Sequence, residues 1–460
     1  MRHSTIYIIA ITVSLIAILT AACSNSSTTS YTPSDDPTVD ALTLSNDSFP
    51  ALKKAVFTVE DKIDTGLIYN VDSLEYGTKI DKVIPKFVFS GSVVSAAIIY
   101  TPNDTIALTG GDTIDFSVRP VYLHTISESG DADKWYEVQV NVHQTDPDLY
   151  LWELLADDIL PQQFSRQKAV MLRDTIYLFA SNGLSAVCLY SADGKTFVPK
   201  EVPFDNFDVQ NTLVHSDTII CCMHDGEIAT LGSANASWQK MKFDDSLPFT
   251  IDKLLLSFCY SPYDWTEIPD SVWALVTDKS TGVPGVATSA DFSEWVYMDN
   301  LPAEFPVSDF AAVTFFSPTG RPRAMIVGGF SAEGASLNTR WNMEYEPESG
   351  YRWENFTVEQ PDFTSLTGAS IIYYNKHFLM FGGANAENMV DNAAIMESYD
   401  EGMNWNETDS AHNHMPDTYT NRAYQSVLVD SNQNIYVIGG KSCNKVFSDV
   451  YKGKLNSINW

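Results

Sequence analysis

The chain has 460 residues, too many for one small domain, and 44% of them are hydrophobic, enough to build a sizeable core. Its formal net charge of −31 would repel the phosphates of DNA or RNA, which argues against a nucleic-acid partner. The same charge is typical of a well-hydrated surface in an extracellular medium.

The first residues have the pattern of a secretion signal. Arg2 supplies a positive charge, and the apolar run from Ile6 to Leu19 is too short to span a bilayer comfortably, so residues 1–22 are predicted to be a signal peptide. The polar stretch that follows predicts a flexible tether over residues 23–44.

The end of this signal, Leu19–Thr20–Ala21–Ala22–Cys23, resembles a bacterial lipobox, although Thr20 replaces the usual Leu. In a lipobox the cysteine is lipidated and becomes the new N-terminus. The resemblance implies a lipid anchor on Cys23, a membrane partner and a place in the cell envelope, at the outer membrane, facing the periplasm or the cell surface. The alternative is ordinary secretion with Cys23 unmodified.

The other cysteines form no recognisable framework. They are odd in number, widely spaced and without a CxxC pair, so neither a disulfide scaffold nor a zinc ribbon is predicted. Most lie in apolar, strand-like runs, where a thiol behaves as a small hydrophobic group. One pair could oxidise in an export compartment, and the pairing stays open. The cysteines concerned are Cys188, Cys221, Cys222, Cys259 and Cys443.

Residues 45–146 read as short strands with polar turns. The clearest strand alternates Tyr136, Val138, Val140 and Val142 on one face with polar residues on the other. About seven such strands in roughly 100 residues predict an immunoglobulin-like β-sandwich. The stretch resembles the small modules at the front of many bacterial surface lipoproteins, which implies a spacer.

Residues 147–460 repeat a different unit, in which a hydrophobic strand is the most regular part. In the last three copies this strand ends in a diglycine, at Gly328–Gly329, Gly382–Gly383 and Gly439–Gly440. The diglycine resembles that of the kelch repeat, where it permits positive φ and close packing. Six such strands are present: 176–179, 218–222, 272–276, 324–327, 378–381 and 435–438.

A Ser/Asp turn closes each unit, and its fullest copy is the S-x-D-x-G-x-x-W pattern at 398–405. Weaker copies recur at intervals of about 40–55 residues. The pattern resembles the Asp box of sialidase-type propellers, which implies a structural role for Ser398, Asp400, Gly402 and Trp405. Six copies of the whole repeated unit predict an all-β chain ending in a six-bladed kelch-like β-propeller, with residues 149–155 closing the last blade.

Two arginines are candidate ligand-binding residues. Arg166 and Arg422 open the innermost strands of the first and last blades, which are neighbours in a closed ring. Two guanidinium groups at one mouth would suit carboxylates or sulfates on sugars. A sialidase-like site would also need a third arginine, and none matches. The alternative is that both arginines serve packing or ion pairing.

Four aromatic residues are further candidates: Tyr260, Tyr263 and Trp265 in an irregular insertion, and Trp341 in the fourth blade. Exposed rings stack on sugars or form protein interfaces. The alternative is that they anchor loops. A copper site of the kind carried by galactose-oxidase-like propellers would need more ligands than the pair His412 and His414, so neither metal nor cofactor is predicted.

The sequence therefore predicts a lipid-anchored envelope protein whose propeller binds a glycan or another envelope protein without catalysis. It resembles uncharacterised Gram-negative surface lipoproteins that combine an immunoglobulin-like domain with a kelch-like propeller. The second hypothesis is a glycoside hydrolase with its site at the channel mouth, although no catalytic residue can be assigned among 59 acidic residues.

Overall fold

The computed structural model describes residues 31–101, 104–202, 207–222, 226–232, 237–258, 270–318, 320–346, 350–360, 363–385, 395–443 and 445–456. These residues form strands and one short 3-10 helix, Pro50–Lys54, without an α-helix. No helix in these ranges is long and apolar enough to cross a membrane. The chain divides into two units, residues 1–146 and 147–460. The predicted signal peptide, Cys23 and Cys259 lie outside the described residues.

The first unit contains eight strands in its described part: Val39–Ser45 (β1), Phe57–Glu60 (β2), Thr65–Asn70 (β3), Ile84–Phe89 (β4), Val93–Thr101 (β5), Asp104–Ala107 (β6), Tyr122–Ser127 (β7) and Asp133–Gln139 (β8). They form one six-stranded sheet in the order β2-β3-β8-β7-β5-β6 and one two-stranded sheet, β1-β4. A single apolar cluster contains side chains from both sheets.

This division of strands differs from the four-plus-three arrangement of a seven-stranded immunoglobulin domain. The middle of the large sheet also contains a parallel pair, β3 and β8. The predicted inward face of β8 is confirmed, because Tyr136, Val138 and Val140 are almost fully buried.

The second unit begins with Tyr150–Ala156 (β9) and continues as repeated antiparallel strands. The first three sheets contain Arg166–Leu172 (β10), Thr175–Ser181 (β11), Ala186–Ser191 (β12), Val198–Lys200 (β13); Thr212–His215 (β14), Thr218–Cys222 (β15), Glu227–Gly232 (β16), Trp238–Lys242 (β17); and Phe249–Phe258 (β18), Ser271–Asp278 (β19), Pro284–Ser289 (β20), Val296–Asn300 (β21).

The next two sheets contain Ala311–Phe316 (β22), Pro322–Val327 (β23), Arg340–Glu346 (β24), Gly350–Asn355 (β25); and, beside a small pair formed by Leu366–Thr367 (β26) and Ala384–Asn385 (β29), Ser370–Tyr374 (β27), His377–Phe381 (β28), Met396–Ser398 (β30), Asn406–Glu407 (β31). The last contains Ser426–Val429 (β32), Ile435–Ile438 (β33) and Val450–Leu455 (β34). Its fourth strand is β9, which pairs antiparallel with β34.

The first strands of the six sheets contact one another in a closed circle, and β32 of the last sheet lies against β10 of the first. The pairing of β9 with β34 joins the two ends of this circle without leaving an open edge there. Each second strand is hydrophobic and buried because it lies in the middle of its sheet, with neighbouring sheets on both faces. Cys188, Cys221 and Cys222 are buried in these layers, as small hydrophobic groups would be.

The diglycines lie where neighbouring sheets approach most closely. Gly382 has a φ of +58°, and a Cβ placed there would overlap the carbonyl oxygen of Arg422 in the next sheet. Gly328, with a φ of +67°, faces the carbonyl oxygen of Leu366 in the same way. Glycine is needed at both positions because neither the backbone conformation nor the space admits a side chain.

Candidate functional site

The Ser398–Trp405 turn is held by its own polar side chains. The Asp400 carboxylate accepts hydrogen bonds from the Asn404 amide at 2.9 Å and from the Ser398 hydroxyl at 2.9 Å. Partial burial raises the pKa of Asp400, but these hydrogen bonds outweigh it and keep the pKa below its ordinary value. The ring of Trp405 is buried and packs with Phe378.

The same turn also connects two sheets. Trp405 belongs to one apolar cluster with Phe315 and Met325 of the preceding sheet, and a Cβ at Gly402 would overlap the Met325 side chain. The carboxylate, hydroxyl and ring therefore make their contacts within the turn and its packing, and they point to no ligand.

Arg422 lies in the interior of the last sheet. Its side chain is 1% exposed and forms an ion pair with Asp449, with Nη2 3.1 Å from Oδ2. Nε also donates to the carbonyl oxygen of Thr420 at 2.8 Å, and the guanidinium lies 3.8 Å from the ring centroid of Phe447. These partners occupy the group that would have formed one half of a ligand clamp. Arg422 is an ion-pairing arginine, which corrects its assignment as a ligand-binding residue.

Trp341 is 6% exposed, and its indole nitrogen donates to the carbonyl oxygen of Glu304 at 3.3 Å. Its ring lies 5.4 Å from that of Phe305, inside an apolar cluster between two sheets. This burial corrects the expectation of an exposed, sugar-stacking ring. The other three aromatic candidates, Tyr260, Tyr263 and Trp265, lie outside the described residues.

Arg166 opens β10, is exposed, and lines a cavity of about 850 Å³ at one end of the circle of first strands. A second cavity of about 690 Å³ runs between the six first strands and forms an axial channel. Gln167, Gln210 and Lys253 line both cavities, so the mouth and the channel are continuous. The guanidinium of Arg422 does not join Arg166 there.

The rim of this mouth is connected from sheet to sheet by hydrogen bonds. The Gly368 amide donates to the Asp309 carbonyl oxygen at 2.9 Å, and the Tyr424 amide donates to the Gly368 carbonyl oxygen at 2.6 Å. On the other side of the rim, the side chain of Gln210 donates to the Gln167 carbonyl oxygen at 3.0 Å. These contacts fix the positions of the side chains around the opening.

Two residues of the rim have a left-handed backbone conformation. Asp309 has a φ of +53° and Tyr424 a φ of +58°, at the positions where Gly368 has +65° in the sheet between them. Asp tolerates this region, whereas a bulky side chain such as that of Tyr424 rarely adopts it, and outliers of the second kind concentrate at functional sites. Both side chains line the mouth and the channel.

Two lysines line the channel from β10 of the first sheet and β18 of the third sheet. Lys168 and Lys253 are both half-buried, and neither forms an ion pair with another described residue within 4.0 Å. Burial, and then the charge of Lys253, lower the pKa of Lys168 to about 8. Burial also lowers the pKa of Lys253, while the carboxylates of Asp309 and Asp208 oppose that shift.

Four carboxylates surround the mouth: Asp208, Asp252, Asp309 and Glu333. Asp208 accepts a hydrogen bond from the Gln210 amide at 3.0 Å, and Asp252 accepts one from the Thr277 hydroxyl at 2.6 Å. These contacts hold the carboxylates as oriented hydrogen-bond acceptors.

Sequence reasoning missed this group of residues. The pattern that could have indicated these residues is a charged or amide side chain in a first strand that is otherwise mainly apolar, as in Asp252–Lys253 and Arg166–Gln167–Lys168. In the histidine pair, His412 Nδ1 lies 2.9 Å from the Asp409 carboxylate. Within the described ranges no three His, Cys, Asp or Glu side chains are grouped to hold a metal ion.

Six four-stranded sheets with their first strands in a closed circle around a channel define a β-propeller protein. The chain belongs to the DUF6242 family. The model of the DUF6242 beta propeller domain matches residues 146–460, and that of the DUF6242 N-terminal domain, a domain of unknown function, matches residues 21–140. No curated protein matches the chain.

Solved structures resemble the chain only distantly. YjhT is 13% identical, with a TM-score of 0.47 over 64% of this chain and 95% of its own. An α-L-arabinanase of Penicillium chrysogenum complexed with arabinobiose is 11% identical, with a TM-score of 0.41 over 65% of this chain and 98% of its own. The six-bladed, fucose-recognising lectin of Aleuria aurantia is 11% identical, with a TM-score of 0.35 over the same shares. At these values the likenesses carry no argument about the site.

Proposed function

We propose that this protein is a glycan-binding module of the cell envelope, with its binding site at the mouth of the propeller channel. The observation that supports this is the cavity of about 850 Å³, which is lined by oriented carboxylates, amides, cations and Tyr424. A saccharide presents many hydroxyl groups that donate and accept hydrogen bonds, and a mixed polar lining held by a rigid rim suits it.

The six sheets are the blades of one kelch-like propeller, and β9 closes its last blade. Cys23 carries a lipid anchor after removal of residues 1–22, and the residues between Cys23 and β1 are the tether to the first domain, a β-sandwich that serves as a spacer. This tether is shorter than the predicted residues 23–44, because Val39–Ser45 forms β1 and its buried side chains belong to the core of the domain. The protein is then held at the outer membrane with its channel mouth available to envelope or extracellular glycans. Metabolic labelling with a radioactive or alkyne-bearing fatty acid tests the anchor, because Cys23→Ser should abolish the label.

The binding function is tested with a glycan array, followed by calorimetry on each glycan that binds. The substitution Asp252→Ala removes an oriented acceptor at the mouth, and roughly tenfold weaker binding is expected from a lost hydrogen bond to a sugar hydroxyl. Asp217→Ala is a matched control, because Asp217 is exposed and pairs with Arg173 away from the cavity. Unchanged affinity in Asp252→Ala would place the binding site elsewhere, and the absence of any glycan binding would favour a protein partner.

The second candidate function is glycoside hydrolysis, which the four carboxylates around one cavity favour. Two carboxylates about 5–9 Å apart can serve as the acid and the nucleophile or base of such an enzyme. A reducing-sugar assay on every glycan that binds separates the two functions. Turnover that is abolished by Asp208→Asn or Asp309→Asn would establish the enzyme, and binding without turnover would eliminate it.

A further inference from the structure

We propose that the inner end of this glycan site binds the carboxylate or sulfate group of an acidic sugar between the ammonium groups of Lys168 and Lys253. The inference rests on the proposed glycan-binding function and adds the chemical class of the ligand. It follows from where cations are concentrated in an otherwise acidic protein.

The local charge of the channel is opposite to that of the whole chain. The protein has 28 basic and 59 acidic residues, yet the channel between the first strands is lined by two lysines and a single carboxylate, Asp309. At the mouth, Arg166 and Lys441 lie among the four carboxylates, so the excess of positive charge is confined to the inner channel. An anion that enters the mouth therefore moves towards positive charge, despite the acidic exterior.

The two ammonium groups also have unused hydrogen-bonding capacity. Lys168 Nζ donates one hydrogen bond, to the Gln210 carbonyl oxygen at 3.1 Å, and an ammonium has three N–H groups. Lys253 Nζ lies 4.7 Å from the ring centroid of Phe310. Neither group is neutralised by direct contact with a carboxylate among the described residues, although both are half-buried.

Two half-buried ammonium groups without a paired anion repel each other and lose hydration. The effect is visible in the pKa of Lys168, which burial and the charge of Lys253 hold at about 8. A bound carboxylate or sulfate would supply the missing countercharge and accept charge-assisted hydrogen bonds from both lysines. The carboxylates at the mouth, such as Asp208 and Asp252, would then accept hydrogen bonds from the hydroxyl groups of the same sugar.

The test uses pairs of ligands that differ only in charge, measured by calorimetry with the full-length protein. Trigalacturonate is compared with its methyl ester, and galactose 6-sulfate with galactose. The expected result is at least roughly tenfold tighter binding of the charged member of one pair, because each charge-assisted hydrogen bond strengthens binding severalfold. Preference in the first pair identifies a carboxylate ligand, and preference in the second pair identifies a sulfate ligand.

Variants then assign the preference to the two lysines. Lys168→Met and Lys253→Met should each reduce the charged-to-neutral preference roughly tenfold, whereas Lys253→Arg should retain most of it. Lys195→Met is the control, since Lys195 is exposed in a turn outside the cavity. Thermal unfolding verifies that each variant is folded.

The outcomes separate the two proposals. If neutral and charged sugars bind equally well, or if neither lysine variant changes the preference, the inference is wrong while glycan binding stands. If none of the sugars binds and the glycan array is also empty, both proposals are wrong.

Discussion

The ion pair between Arg422 and Asp449 is expected to be a major contributor to the stability of the propeller. In Asp449→Ala, the guanidinium of Arg422, which is 1% exposed, loses its carboxylate and retains its carbonyl partners and the rings of Phe447, Tyr419 and Tyr451. Removing one partner of a buried pair costs about 3–5 kcal/mol. Because Thr420 and Gly439 still accept hydrogen bonds, the expected loss is at the lower end, about 3 kcal/mol, or roughly 6 °C in Tm.

The loss can be measured by guanidinium chloride unfolding with tryptophan fluorescence. Nine of the ten Trp residues lie in the second unit, with Trp135 the exception, so the signal reports the propeller. The double variant Arg422→Met, Asp449→Leu removes both charges and should recover most of the stability, because a buried pair can be replaced by apolar groups at little cost.

The pair Arg173–Asp217 provides the control for burial. Its side chains are 63% and 56% exposed, so Asp217→Ala should cost at most about 1 kcal/mol. Equal losses in Asp449→Ala and Asp217→Ala would refute the reasoning. A double variant less stable than Asp449→Ala would also refute it, because the unpaired charge of Arg422 would then not be the cause of the lost stability.

Three further predictions concern the backbone, acid stability and ligand binding. Gly382→Ala should destabilise the protein by about 3 kcal/mol or more, whereas Gly183→Ala should cost only about 1 kcal/mol. Both glycines have a positive φ, but only at Gly382 would the added Cβ meet a carbonyl oxygen of the next sheet. The Tm values of the two variants test this. The hydrogen bond from the Thr196 amide, with others in the turn, lowers the pKa of Asp193 to about 2. The ionised carboxylate therefore stabilises the folded state above pH 4, and this contribution is lost as the pH falls towards 2. Asp193→Asn should be less stable than wild type at pH 6, and the difference in Tm should narrow between pH 4 and pH 2. The ammonium of Lys168 loses its proton near pH 8, so affinity for an acidic sugar should fall between pH 7 and 9 in wild type. The fall should be smaller in Lys168→Met, which keeps only the ammonium of Lys253, and calorimetry at several pH values would detect the difference.

Much of the second unit could be anticipated from local patterns. The hydrophobic second strands, such as Phe378–Phe381, lie where the sequence placed them, because burial in the middle of a sheet selects continuous apolar runs. The segment predicted at residues 149–155 pairs with β34 as Tyr150–Ala156. That pairing could be inferred because the last repeat lacks its fourth strand, and the strand that precedes the first repeat can supply it.

The first unit was less predictable, since alternation of residue types indicates a strand but not its neighbour. The face of β8 that contains Tyr136 was evident, yet nothing local indicates that β8 pairs in parallel with β3, a segment about 70 residues earlier. The same limit applies to Arg422. Its partner Asp449 is 27 residues away, and only the packing of the last sheet brings them together.

The candidate site illustrates why a repeat fold hides its functional residues. The features that recur, including the diglycine at Gly382 and the turn at Ser398–Trp405, serve packing between sheets, so repetition identifies structure. A ligand in a single axial channel contacts each sheet once, with a different side chain from each. Lys168 and Lys253 lie on the first strands of two sheets, and Asp309 lies just before the first strand of a third sheet. In this propeller the departures from the repeat, rather than the repeat itself, indicate where a ligand would bind.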